Sequence, residues 1–364
     1  MEKKLGLTAL TALVLSSMLG AGVFSLPQNM AEVASPAALL IGWSITGIGI
    51  IFLAFAMLLL TRLRPDLDGG IFTYAKEGFG DLIGFFSAWG YWLCAVIANV
   101  SYLVIVFAAL SFFTDKSGSI IFGEGNTWQA LLGASFLLWL VHALVLRGVQ
   151  TAASINLAAT LAKLLPIGGF IILAGIAFSL DTFSIDFTGL ALHTPVWQQV
   201  KDTMLITLWV FIGVEGAVVV SARARNKKDV GRATMLAVIS ALSVYLLITL
   251  LSLGVVPRAE LAGMRNPSMA GIMVEMIGPW GEIIIATGLI ISVCGAYLSW
   301  TIMAAEVPMV AAKHGAFPKI FRHQNKNNAP AQSLWLTNSA VQVALVLIWL
   351  TGSNYNTLLT IASE

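Results

Sequence analysis

Charged residues are scarce in this chain of 364 amino acids. Asp, Glu, Lys and Arg together make up 10% of it, whereas ordinary globular proteins contain about 25%, and its mean hydropathy is +0.88. So little polar surface excludes a water-soluble fold of this size. The 20 basic and 18 acidic residues leave a net charge of only +2, which does not indicate nucleic-acid binding. The composition predicts a polytopic membrane protein.

Cysteine and histidine are equally rare. Cys94 and Cys294 both lie within apolar runs, which argues against a disulfide framework or a thiolate metal site. The chain has no Gly-x-x-x-x-Gly-Lys-Ser/Thr phosphate-binding loop, and its histidines do not form the Ser/His or His-Glu-x-x-His sites of intramembrane proteases. We therefore expect no enzyme, no metal and no cofactor. The four histidines are His142, His193, His314 and His323.

Long apolar runs are abundant. A helix that crosses a bilayer needs about 20 mostly apolar residues, and these runs do not alternate in polarity as β-barrel strands do. They predict an all-α protein. A further run begins near Tyr355 and stops at Glu364, so we expect the sequence to end within a tenth span. The nine complete runs are 5–30, 38–60, 82–113, 127–146, 152–180, 203–224, 233–256, 280–312 and 333–351.

Basic residues lie mostly on one side of these predicted spans. Placing the amino terminus in the cytoplasm gives fifteen Lys and Arg residues in cytoplasmic loops and four in outer loops, which satisfies the positive-inside rule. We therefore expect a multi-pass protein of the cytoplasmic membrane, in contact with the lipid bilayer, with a cytoplasmic amino terminus. The four outer residues are Lys116, Lys201, Arg258 and Arg265.

Glycines interrupt two of the predicted spans near their middle. The first span reads Gly-Ala-Gly at residues 20–22, and the sixth contains Gly213 and Gly216. Such glycines either allow close helix packing or break the helix. Spans one and six open two successive five-span halves, 1–202 and 203–364. Interruptions at corresponding positions of two halves are typical of inverted-repeat transporters, so we expect broken first and sixth helices.

A broken helix within a membrane frees backbone groups that lipid cannot satisfy. The N–H groups at the start of a half-helix favour a carboxylate, and freed carbonyl groups favour an ammonium group. A free amino acid carries both groups. The two breaks therefore predict an amino acid substrate that is held by backbone atoms.

Two ionisable residues lie well within the predicted spans. Glu215 stands midway along the sixth, where a charge costs about 2.5–3.5 kcal/mol. It is either a structural carboxyl group or a group that couples transport to protons or to a conformational change. Lys163, in the fifth span, either snorkels to the interface or bridges the carbonyl groups of a broken helix. Glu306 lies nearer the end of span eight, and we expect it at the cytoplasmic interface.

The residues at both interruptions resemble those of a known superfamily. The segment Gly-Ala-Gly-Val-Phe at 20–24, followed by Pro27, and Phe-Ile-Gly-Val-Glu at 211–215 are similar to motifs of the amino acid–polyamine–organocation (APC) superfamily. Within it the chain resembles the basic amino acid antiporters, most closely the arginine–ornithine exchangers. The resemblance runs from Lys3 to the last residue. It implies a five-plus-five inverted repeat, usually followed by two further spans, and it is compatible with a homodimer.

The resemblance also implies where a substrate binds. The backbone amides of Ala21 and Gly22 would hold its carboxylate, and the carbonyl groups of Met18, Trp209 and Ile212 would hold its α-ammonium group. The Trp209 side chain is similar to a gating aromatic residue that covers the substrate.

Two further positions follow from the same likeness. Trp300 matches a tryptophan that stacks on a bound guanidinium, a contact worth about 2 kcal/mol or more when desolvated; otherwise it is an ordinary packed aromatic residue. Asn99 either accepts from the cationic tail of the substrate or forms a hydrogen bond between helices.

Two departures from the family pattern leave the energy coupling open. Ala21 stands where arginine–agmatine exchangers usually have serine, and Lys163 matches a lysine of proton-coupled members. The leading hypothesis is exchange of cationic amino acids, arginine for ornithine, by alternating access. The alternative is a proton-coupled permease in which Lys163 or Glu215 titrates. An amino acid sensor is disfavoured because the loops are too short for a signalling segment.

Overall fold

The computed structural model describes residues 4–116 and 118–351, and there the chain is built from α-helices joined by turns and short 3-10 segments. In chain order the α-helices are α1 (Leu7–Met18), α2 (Gly22–Val33), α3 (Pro36–Leu63), α4 (Ile71–Phe79), α5 (Asp81–Thr114), α6 (Trp128–Leu146), α7 (Val149–Ala177), α8 (Leu180–Ser184), α9 (Val196–Phe211), α10 (Gly216–Val219), α11 (Lys227–Val255), α12 (Arg258–Ala262), α13 (Ser268–Ile277), α14 (Trp280–Lys313) and α15 (Ala331–Thr351).

Eight stretches are long and apolar enough to cross a membrane: α3, α5, α6, α7, α9 with α10, α11, α14 and α15. A ninth consists of α1 and α2, which meet at an angle of 41° across a short break. These nine stretches confirm the nine complete runs read from the sequence, and the all-α polytopic prediction with them. The partial tenth run from Tyr355 lies outside the described residues.

Local sequence signals explain where several of these helices begin. Ser35 caps α3 by accepting a hydrogen bond from the Ala38 amide, and Pro36 follows at the first helical position. Thr127 caps α6 and Asn226 caps α11 through their side-chain oxygens. Each cap satisfies an amide that has no partner within its own helix, so the turns between spans stay short.

Both predicted helix breaks are present. Residues 19–21 separate α1 from α2, and residues 212–215 separate α9 from α10. Gly213 has φ +108, and a Cβ atom there would lie 2.6 Å from Ser17 Oγ, so only glycine fits this turn. The breaks therefore face each other closely. The inverted-repeat relation between the halves 1–202 and 203–364 stays a prediction.

The two helix breaks are buried among the other helices. α1 contacts α7, α11 and α14, while α2 contacts α9, α11 and α13. Large apolar side chains on the surrounding helices point outwards, as Phe52, Phe136 and Ile176 do, where they would meet lipid. This arrangement places the two breaks at the centre of the molecule.

Candidate functional site at the two helix breaks

A small pocket of about 20 Å³ lies between the two breaks. That volume suffices for about one water molecule, so the walls must separate before an amino acid fits. Gly22 allows one wall to close, because a Cβ atom there would lie 3.3 Å from Trp209 Nε1. The lining residues are Ser17, Met18, Gly20, Gly22, Cys94, Ala98, Tyr102, Trp209, Val210, Ile212 and Trp300.

Five of the predicted substrate-binding residues line this pocket: Met18, Gly22, Trp209, Ile212 and Trp300. Ala21 is buried and occupies the position just before α2. Asn99 is fully buried but does not line the pocket, and neither its Oδ1 nor its Nδ2 has a hydrogen-bond partner within the described residues. Neither role expected for Asn99 is therefore seen in this conformation, and its contact with substrate stays a prediction.

The backbone at the breaks is only partly available to a ligand. The Met18 carbonyl accepts from the Gly20 amide at 2.8 Å, and the Trp209 carbonyl accepts from the Ile212 amide at 3.2 Å. The amides of Ala21 and Gly22 and the carbonyl of Ile212 have no backbone partner in the described part of the chain. These three groups are where a carboxylate and an ammonium group find unoccupied partners.

Tyr245, on α11, ties the two breaks together. Its hydroxyl group lies 2.8 Å from the Met18 carbonyl oxygen and 2.7 Å from that of Val210, so its single proton serves one carbonyl from each break. The side chain is fully buried. The sequence reasoning missed this residue, although a tyrosine in the middle of a span signals a buried hydroxyl that needs a partner.

Lys163 reaches the break in α1 and is completely buried. Its ammonium group donates to the Ser16 carbonyl at 3.1 Å, to Ser16 Oγ at 3.0 Å and to the Leu19 carbonyl at 2.7 Å, which uses all three of its protons. Ser292 on α14 adds a hydrogen bond to Leu19. The snorkelling interpretation is therefore wrong, because α1 offers the lysine three acceptors inside the protein. Whether Lys163 titrates stays a prediction.

Glu215 and Trp300 are linked through one tyrosine. Glu215 Oε2 accepts from the Gly213 amide at 3.2 Å, and the Tyr91 hydroxyl lies against the same carboxyl group. The Tyr91 ring stacks on Trp300, with centroids 6.1 Å apart. Trp300 in turn donates from Nε1 to the Ser17 carbonyl at 3.1 Å. A displacement of either break would therefore also displace the Tyr91 and Trp300 rings.

Glu306, expected at the cytoplasmic interface, has a fully buried side chain, and its depth in the membrane stays a prediction. Its Oε2 accepts from Arg223 Nε at 2.8 Å, and Arg223 lies just after α10, so the fold supplies a partner that periodicity could not reveal. Backbone hydrogen bonds join Leu5 to Arg223 at 2.8 Å and to Arg225 at 2.7 Å. These contacts close the predicted cytoplasmic end of the molecule.

The fold is that of a membrane transporter with interrupted helices. The chain is similar to the nucleobase-cation-symport-1 family transporter Mhp1 in a closed conformation with bromovinylhydantoin bound, with a TM-score of 0.66 and 14% identity, covering 99% of this chain and 75% of that one. At that identity the likeness shows the fold alone.

The family follows from the sequence. The profile of the amino acid permease family matches residues 5–364, and the chain belongs to that family, as the motifs at 20–24 and 211–215 implied. A protein of Escherichia coli K12 named "Putative arginine/ornithine antiporter" is 80% identical over 364 residues, which are 100% of this chain and 79% of that protein.

Two further relatives extend the comparison. An arginine/ornithine antiporter of Pseudomonas aeruginosa is 47% identical over 355 residues, covering 97% of this chain and 73% of its own. An arginine/agmatine antiporter of Chlamydia pneumoniae is 45% identical over 366 residues, covering 99% and 75%. The predicted resemblance to arginine–ornithine exchangers is thereby confirmed.

Proposed function

We propose that this chain exchanges cationic amino acids, arginine for ornithine, across the cell membrane by alternating access around the two helix breaks. The observation that carries the proposal is the 80% identity, over the whole chain, to a protein named for arginine/ornithine antiport. The two facing breaks support it, because they leave backbone donors and acceptors in a water-poor site, as a zwitterionic substrate requires. A homodimer and a cytoplasmic amino terminus belong to the same proposal.

The substrate would bind mainly to the backbone. Its carboxylate accepts from the amides of Ala21 and Gly22 at the start of α2, where the helix dipole favours a negative charge. Its α-ammonium group donates to the Ile212 carbonyl, with Met18 and Trp209 contributing second lone pairs. Because these groups recognise any α-amino acid, the side chains around them must select a cationic tail.

Trp300 is our candidate for that selection. Its ring lines the pocket and is held by Tyr91 and by the Ser17 carbonyl, so it offers a fixed aromatic face to a guanidinium or ammonium tail. Trp209 would cover the bound substrate from the other side. If Trp300 and Trp209 both closed around a bound cationic amino acid, the substrate would be occluded.

For exchange, we propose that Lys163 is a fixed cation at the break of α1, since its three protons are all donated to oxygens of the protein. We propose that Glu215 senses the state of the break in span six through the Gly213 amide. The proton-coupled alternative requires one of these two groups to exchange a proton with solvent during each cycle.

Counterflow in proteoliposomes tests the function. The protein, with the rest of its polypeptide where it is longer, is reconstituted into vesicles loaded with ornithine or left empty, and labelled arginine is added outside with and without a proton gradient. We expect uptake that requires internal ornithine and ignores the gradient. Gradient-driven uptake into empty vesicles would instead make the chain a proton-coupled permease.

A further inference from the structure

The pocket at the helix breaks is much smaller than a second cavity in the described structure. This second cavity, of about 520 Å³, lies between the end of α5, residues 120–124, residues 264–271 and the start of α14. Another cavity of about 280 Å³ overlaps it and reaches Ser25 and Asn29 on α2, and we call these two overlapping cavities together the vestibule. The larger volume is within the usual range for small-molecule sites, whereas the pocket at the breaks holds about one water molecule.

The vestibule lies outward of the pocket along the same two helices. On α5 the pocket is lined by Ala98 and Tyr102, and the vestibule by Ala109; these positions follow at intervals of one or two helical turns. On α2, Gly22 lines the pocket and Ser25 lines the vestibule. A substrate that reaches the pocket from this face must therefore pass through the vestibule.

The ring of Tyr102 lines the pocket at the breaks, on the stretch of α5 that leads from Ala98 to the vestibule residue Ala109. It packs so closely on Gly20 that a Cβ atom there would lie 2.9 Å from Cε1 of the ring. The Arg223–Glu306 pair lies at the far end of the molecule, because Glu306 is 24 residues along α14 from the vestibule residue Glu282, or about 36 Å at the rise of an α-helix.

The polar groups of the vestibule match a cationic amino acid. Arg265 is exposed at its rim, and Glu282 is half-buried in its wall; neither has an ion-pair partner within the described residues. Glu124 adds a third charged side chain. A ligand with one carboxylate and one cationic tail would neutralise Arg265 and Glu282 together.

One buried and one half-buried polar group lie in this wall. Ser25 is 4% exposed, lines the vestibule, and its hydroxyl has no hydrogen-bond partner in the described structure. Asp115 accepts from the amides of Phe122 and Gly123 at 3.1 and 2.8 Å. Desolvation raises the pKa of Asp115, but these amides outweigh it and hold the pKa below its usual value. Asp115 therefore shapes the loop, and Ser25 remains available to a ligand.

The charge of the whole vestibule face also favours a cationic ligand. Cations are drawn to a cleft whose surroundings carry negative charge. On the vestibule side of the predicted spans, the loops and span ends contain nine acidic residues and four basic ones. The acidic residues are Glu32, Asp115, Glu124, Asp181, Asp186, Asp202, Glu260, Glu275 and Glu282.

We propose that the vestibule is a second, outer recognition site for cationic amino acids, in which Glu282 holds the cationic tail, Arg265 holds the carboxylate and Ser25 hydrogen-bonds to the ligand. The proposal rests on the proposed function, since it assigns a second site for the same class of substrate. The substrate waits here until Tyr102 and the walls of the pocket at the breaks move apart.

The test measures initial rates of exchange against arginine concentration, from each side of the membrane in turn, with ornithine on the opposite side. In Glu282→Gln we expect the KM for arginine at the vestibule face to rise about threefold to fivefold, the range of a weak, partly exposed ion pair. The KM at the other face and the maximal rate should stay unchanged. The matched control is Glu260→Gln, an exposed acid of the same face that does not line the vestibule.

A comparison of arginine with agmatine separates the roles of Arg265 and Glu282. Arg265→Gln should raise the KM for arginine but not for agmatine, which lacks the carboxylate, whereas Glu282→Gln should raise both. Equal effects of Glu282→Gln and Glu260→Gln would overturn the vestibule site and leave only general attraction by the face. A wild-type protein that does not exchange arginine for ornithine would instead overturn the proposed function, and the vestibule proposal with it.

Discussion

The two helix breaks are held in different ways. The break in span one is held by side chains from three other helices: Lys163 from α7, Tyr245 from α11, and Ser292 and Trp300 from α14 all reach carbonyl groups between Ser16 and Gly20. The break in span six is closed largely by its own backbone, through turns from Ile212 to Trp209 and from Gly216 to Gly213. Within the described residues, the side chains that donate from outside to carbonyl groups at or next to this break are Ser17 and Tyr245.

This difference assigns different tasks to the two breaks. A segment tied to three helices moves only with them, whereas a segment held by local turns rearranges at lower cost. We therefore propose that the break in span one is the fixed platform that binds the substrate carboxylate. We propose likewise that the break in span six, which contains Glu215 and directly follows Trp209 and the end of α9, opens and closes. The fixed and the mobile break should then respond differently to substitution.

The largest effect is expected for Lys163→Ala. It leaves the Ser16 and Leu19 carbonyl groups without their charged donor in a buried site, which costs about 3 kcal/mol or more. Counterflow should be lost at every pH, and thermal unfolding in detergent should shift to lower temperature. Lys201→Ala, an exposed lysine on α9, is the control. Activity that survives with a shifted pH profile would show that Lys163 titrates and that the first break does not need a fixed cation.

Trp300→Leu should separate substrates by charge. Loss of a desolvated cation–π contact costs about 2 kcal/mol, or about thirtyfold in the affinity for arginine, while binding of alanine should fall much less. Trp300→Phe keeps an aromatic face but removes the Nε1 bond to Ser17, so it shows how much of the loss belongs to that bond. Equal losses for arginine and alanine would show that Trp300 only supports the first break.

Tyr245→Phe removes a hydroxyl group that, in the described structure, donates to a carbonyl group at each of the two breaks. Removing its hydroxyl group leaves a buried carbonyl without a donor, at a cost of about 1–2 kcal/mol, and should slow exchange by loosening the two breaks from each other. Tyr297→Phe is a matched control, because the Tyr297 hydroxyl is buried without a hydrogen-bond partner in the described structure. That control should be neutral or stabilising in thermal unfolding. If both variants behave alike, the bridge at Tyr245 is unimportant.

The sequence predicted some features of the spans and of the two breaks, but not others. Spans and breaks were predictable because they depend on local signals: apolar length, and glycines near the middle of two spans. Lys163 was recognisable as unusual because a charge within a span is costly. In each case the residues that carry the signal, such as the glycines or Lys163, lie at the break or in the span that they predict to be unusual.

The partners of these residues were not predictable. Tyr245 meets Met18 across 227 positions of the chain, and Glu306 finds Arg223 across 83, so neither contact leaves a periodic signal. Asn99 was expected either at the substrate or in a hydrogen bond between helices, and in this conformation α5 turns Ala98 and Tyr102 to the pocket. Which face of a helix meets the site depends on how all nine spans pack together.

The smallest effect on stability is expected for Glu215→Gln, at the mobile break. Glutamine keeps an oxygen that accepts from the Gly213 amide, so the free energy of unfolding should change by less than about 1 kcal/mol, and arginine binding should persist. Glu306→Gln is the contrasting variant: the same exchange removes the buried carboxylate that pairs with Arg223, so it should destabilise the protein more. If Glu215 couples the mobile break to protons, its replacement flattens the pH profile of exchange, measured as counterflow between about pH 5 and 8, the range in which carboxyl groups tuned by burial act. A loss of folding would instead make Glu215 a structural residue, and the break in span six would then be held as firmly as the break in span one.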